Sequence, residues 1–106
     1  MKVESWDVKR DGPLSEAALT QKLERRGYRV SRYVYSPGTY FQDHSHDIDK
    51  TDAVLSGRFR MRIGDEEVIL EAGDSLAVPR GVVHSAEVVG NGPVVSFDAT
   101  KEDPRP

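Results

Sequence analysis

Gly38-Thr39-Tyr40-Phe41-Gln42-Asp43-His44-Ser45-His46 and, further along, Pro79-Arg80-Gly81-Val82-Val83-His84 hold all three histidines of the chain. The first stretch ends in an alternating His-x-His pair. On a strand, side chains two residues apart point to one face, so His44 and His46 can converge on one ion. His84 is expected on a second strand. Three neutral imidazoles meeting in an apolar pocket would form a nitrogen donor set for a divalent transition ion and leave positions open for other ligands.

Working outward, the flanking residues read as short strands separated by turns. Tyr28 to Tyr35 is rich in β-branched and aromatic residues and stops at Ser36-Pro37-Gly38. Ala53 to Ile63 alternates, with Phe59, Met61 and Ile63 opposed by Arg58, Arg60 and Arg62. It is read as one strand. Gly64-Asp65 turns into Glu66–Glu71, and Ala72-Gly73-Asp74 turns into Ser75–Val78. Val82–Val89 and Pro93–Phe97 supply the last strands. Before them, Leu14 to Gly27 reads as the one helix. A serine stands at its N-cap, acids come early, bases come late, and Gly27 stands at the stop. Leu19 and Leu23 give it a narrow apolar stripe, enough to lie on a larger body but not to build a bundle. The pattern predicts an all-β fold, an antiparallel sandwich or barrel with one short N-terminal helix. The single domain is expected over 1–106, with a strand and helix in 1–27, a barrel core over about 28–98 and a loose, proline-bearing tail at 101–106.

Composition narrows the function. The 106 residues contain no cysteine, so disulfides, thiolate nucleophiles and cysteine-ligated metals are excluded. A net charge of −3 lacks the basic footprint of a nucleic-acid binder. No run approaches the roughly 20 apolar residues of a membrane span, and the first residues have no apolar signal-like core. The expectation is a cytoplasmic protein whose partner is a small-molecule ligand or substrate, with no nucleic acid and no membrane.

The spacing of these residues resembles the cupin family. Gly38, five residues, His44-x-His46, three residues, position 50, six residues and Gly57 are similar to the first cupin motif. Gly73, five residues, Pro79-x-Gly81, two residues and His84 are similar to the second. The resemblance covers residues 38 to 84. It implies a jelly-roll β-barrel, one metal ion inside it and a homodimer. Two positions depart from the pattern. The slot of the family's glutamate ligand holds Lys50, and that of its closing asparagine holds Val88. An ammonium is no ligand, so the expected donor set is His44, His46 and His84. The expected ion is Fe, Mn, Ni, Cu or Zn.

Strand parity puts Lys50 and Asp52 on one face, inside the barrel mouth. There Asp52 could neutralise Lys50, act as a general base, hydrogen-bond a metal-bound water or reach the metal itself. Lys50 could hold a substrate carboxylate or enolate. Tyr40 and Gln42 precede His44 at even spacing and are expected to share its face as ligand contacts. The first functional expectation is a metal-dependent oxidoreductase, dioxygenase-like, acting on a small chelating molecule, as three-histidine cupins resemble. The rivals are a Lewis-acid isomerase or lyase, a non-enzymatic barrel that binds or senses a metabolite or metal, and a barrel without metal if Lys50 points into the histidines.

Overall fold

The computed structural model describes residues 1–101. The elements are β1 (Val3–Glu4), α1 (Val8–Asp11), α2 (Glu16–Arg25), β2 (Tyr28–Tyr35), β3 (Tyr40–His44), β4 (Lys50–Ser56), β5 (Arg58–Ile63), β6 (Glu66–Leu70), β7 (Ser75–Val78), β8 (His84–Val89) and β9 (Val94–Lys101). Two antiparallel sheets face each other, one ordered β1-β7-β4-β9-β2 and the other β3-β8-β5-β6. This is the expected all-β jelly roll. The expected tail from 102 onward lies outside the described residues, and Lys101 is the last residue of β9.

Two features differ from the sequence reading. The run Ala53–Ile63 is two strands in two different sheets, because Gly57 turns the chain across the barrel at φ +90°. A residue with a Cβ avoids that backbone conformation, and here the Cβ would also press on the Pro93 carbonyl and lie 2.9 Å from Val94 Cα. Across the corner the inward-facing parity switches, from Lys50, Asp52 and Val54 to Phe59 and Met61, and the unbroken apolar run 53–55 hides that switch from hydrophobic periodicity. The second difference is a short extra helix, α1, capped by the Asp7 carboxylate accepting from the Lys9 and Arg10 amides.

Helix α2 begins and ends as its signals predict, with the Ser15 hydroxyl accepting from the Ala18 amide. Its buried Leu19 and Leu23 pack with Ala53, Phe97 and Ala99, which cover the outer face of the five-stranded sheet. Burying two leucines is worth about 1.5–3 kcal/mol each. The helix therefore lies on the barrel wall. The strands beneath it, β4 and β9, are covered on both sides. Their other parity faces inward, where Val54 and Val94 join Phe59, Met61, Leu70, Leu76, Val78, Ala86 and Val88 between the sheets. Among the described residues, no helix is long and apolar enough to cross a membrane.

The N-terminal segment is tied to α2 by ion pairs. Glu4 meets Arg26 at 2.6 Å and Lys22 at 3.1 Å, and Lys22 also lies over the Trp6 ring. The Arg26 hydrogen bond chiefly lowers the Glu4 carboxyl to about 2, against a smaller upward push from burial. Glu4 thus contributes stability that is present above its ordinary value near 4.5 and lost as pH falls through about 2.

Two outcomes follow. Gly57→Ala should lower stability in urea unfolding by about 3 kcal/mol, well beyond the roughly 1 kcal/mol expected at the open Gly64 turn. On acidification, fluorescence of Trp6, the sole tryptophan, should report loosening of the N-terminal segment as pH drops from about 4.5 toward 2; Glu4→Gln should show that loosened signal already at neutral pH.

Candidate metal centre

The histidines converge as expected, by a route the sequence did not disclose. In β3, Phe41 pairs with Ala86 and His44 with His84, so three steps along one strand match two along its neighbour. The extra residue is a β-bulge, and it reverses which parity points inward. Phe41 faces the interior before the bulge and His44 after it. This corrects the expectation for Tyr40 and Gln42. Tyr40 is 61% exposed beside Arg60 and Arg62 on the outer sheet face, and Gln42 is exposed too. Gln42 contributes its main chain instead, as its carbonyl lies 2.7 Å from His44 Nδ1. His46 lies beyond the end of β3, in the loop before β4, where its carbonyl accepts the Gly81 amide at 2.9 Å. Gly81 thereby fastens the loop carrying one histidine to the turn that precedes another.

The three donor groups offer ligand atoms that all lie within 4.8 Å of one another. The Val82 carbonyl lies 3.0 Å from His84 Nδ1. A carbonyl only accepts, so Nδ1 of His44 and of His84 carries the proton and each Nε2 presents a lone pair. His46 Nε2 is buried and has no hydrogen-bond partner among the described residues. Burial is the main reason His46 titrates below the usual histidine value, aided by the Lys50 ammonium and the other two imidazoles. A buried, unpartnered imidazole nitrogen beside two others with free lone pairs fits a divalent transition ion. His44, His46 and His84 would hold it.

These residues form one wall of a cavity of about 150 Å³ that opens to solvent. Aromatic and apolar lining comes from Tyr35, Phe41, Phe59, Met61 and Ala86. Phe97, another aromatic near the site in sequence, belongs instead to the layer under α2. The opposite wall is polar. Lys50 and Asp52 both face the cavity, as parity predicts, but they are joined there by Asp98 of β9. The Lys50 ammonium lies 2.6 Å from Asp98 and 3.2 Å from Asp52. Lys50 is thus held between two carboxylates and directed away from the role of lone cation. Burial acts to lower its pKa, yet Asp52 and Asp98 together raise it, so it stays an ammonium. Burial pushes the Asp52 carboxyl up, against the pull of Lys50. Burial first, then Asp98 and Asp52, pushes the Tyr35 hydroxyl up to about 12, which keeps it a neutral donor.

Asp98 escaped the sequence reading because it stands in an unremarkable strand outside both motifs. Its one signal is an acid placed where inward alternation from Val94 and Ser96 would put an apolar residue.

The fold agrees with known proteins. The family model described as "Cupin domain" matches residues 31–100, and the chain belongs to that family. Comparison with curated proteins finds no match. Among solved structures, a cupin superfamily protein from Desulfitobacterium hafniense is 21% identical, with a TM-score of 0.63 over 72% of this chain and 68% of that one. A conserved protein with a double-stranded β-helix domain from Klebsiella pneumoniae is 26% identical, with a TM-score of 0.61 over 71% and 67%. A cupin-like protein from Thermotoga maritima is 24% identical, with a TM-score of 0.63 over 71% and 57%.

Wild-type protein is expected to bind one equivalent of Zn²⁺ or Co²⁺ in titration calorimetry. His84→Ala should weaken binding by more than about 100-fold, beyond what loss of an orienting contact costs. Affinity should fall as pH drops through the histidine range, because protons compete for the same lone pairs.

Proposed function

We propose that this cupin is a metal-dependent enzyme acting on a small chelating organic molecule, with oxygenation as the reaction class. The observation that carries the reading is the convergence of three imidazole donors, one of them buried without a partner, on a solvent-connected cavity. A redox-active ion held there supplies dioxygen chemistry, and a redox-inert one supplies Lewis acidity for isomerase or lyase chemistry.

The chain's own residues do the rest. Phe41, Phe59 and Met61 give the cavity an apolar lining and leave room for a compact ligand, since about 150 Å³ is the size of an engineered cavity that holds benzene. The buried Asp52 carboxyl, raised by burial and steadied by Lys50, is a proton acceptor or donor facing the same space. The Tyr35 hydroxyl offers a hydrogen-bond donor that does not ionise near neutral pH. We also propose a soluble, cytoplasmic homodimer as its form, in keeping with the family resemblance.

A non-catalytic binding barrel is the second reading. It is favoured by Lys50 being engaged by two carboxylates, which leaves it no free charge to offer a reacting group.

The test is metal analysis of protein purified without an affinity tag, followed by oxygen-electrode assays with small chelating substrates. Near-stoichiometric Fe or Cu with substrate-dependent oxygen uptake supports the enzyme. Asp52→Asn should then retain metal and lose about 100-fold or more in rate, the usual scale of a lost acid–base group. Ligand binding without turnover of any kind would favour the binding barrel.

A further inference from the structure

Asp52 and Asp98 are direct cross-strand partners in the β4–β9 ladder, and both face the cavity. Like charges in that position repel. The Lys50 ammonium relieves the repulsion by contacting both. The formal charge of the group is −1 when both carboxyls are ionised and 0 when Asp52 holds a proton. In neither state is the wall net positive. A substrate carboxylate placed there would meet no excess cation, so Lys50 does not make an anion pocket.

The three members are unequally placed. The side chains of Lys50 and Asp52 are 8% and 9% exposed, whereas that of Asp98 is 27% exposed. Asp98 is therefore the most accessible of the three; its Oδ1 is buried against Lys50, so any contact with an incoming molecule falls to its other oxygen, Oδ2. A carboxylate only accepts hydrogen bonds, and it does so most strongly from a charged donor.

Resting on the metal reading above, we infer that the cavity takes a chelating molecule that carries a protonated amino group opposite its chelating end, and that Asp98 is the residue that selects it. The metal-facing end of the ligand is read by the histidines. The far end is read by charge.

The experiment uses Zn²⁺-loaded protein and three hydroxamates that share one chelating group. 3-Aminopropanohydroxamate ends in an ammonium, butanohydroxamate in a methyl, and succinic monohydroxamate in a carboxylate. Calorimetry should rank them ammonium, methyl, carboxylate, with about tenfold between the first two. In Asp98→Asn the ammonium and methyl probes should come within about twofold, with zinc stoichiometry unchanged. The wild-type ranking stands as a test even where the variant does not fold. Protein that takes up no zinc overturns the metal reading and this inference together. Protein that takes up zinc but binds the three probes alike, or prefers the carboxylate, overturns this inference alone.

Discussion

The site depends on one irregularity in one hydrogen-bonded pair of strands, the bulge between Phe41 and His44. Without it, strand parity would send His44 outward with Tyr40 and Gln42 and leave His84 opposite a solvent-facing neighbour. With it, His44 and His84 stand directly across from each other, and their ring centroids are 4.3 Å apart. The loop that follows then brings in His46. A bulge also bends and twists its strand, and barrel rims are where such bends are commonly found. The same distortion that bends this strand thus points a donor into the barrel.

The opposite wall follows a different logic. Buried charges are expensive, and a lysine between two aspartates inside a small barrel is weak evidence of stability. A hydrophobic trio would pack there at less cost. What the charged group provides is a fixed arrangement of donors and acceptors facing the histidines, in a protein whose inter-sheet core is otherwise built mainly of apolar side chains. The cost is borne by strands β4 and β9, which are anchored on their other side by α2. Helix and charged wall occupy opposite faces of the same two strands, so the outer layer supports the polar inner one.

Much of this was legible in the sequence. Ser15 and Gly27 bracketed the helix because capping is a local interaction. The histidines and glycines gave the barrel because their spacing reflects turns of fixed length. Lys50 and Asp52 were placed correctly because β4 is regular over that stretch. The failures have a common cause, which is that periodicity assumes an unbroken strand. The corner at Gly57 and the bulge before His44 each break that assumption without leaving a gap in the pattern. Asp98 was missed for another reason. Its role exists only through cross-strand pairing with Asp52, and a single chain read in order does not display its pairings.

All three histidines are oriented or fastened by main-chain groups. The Gln42 and Val82 carbonyls fix two rings, and the Gly81 amide holds the loop that carries the third. The exposed side chains at positions 42, 45 and 47 can therefore change without disturbing where the donor atoms point. Such a scaffold separates two kinds of inheritance: the donor set is preserved by backbone geometry, while the residues around the mouth are free to drift toward new ligands.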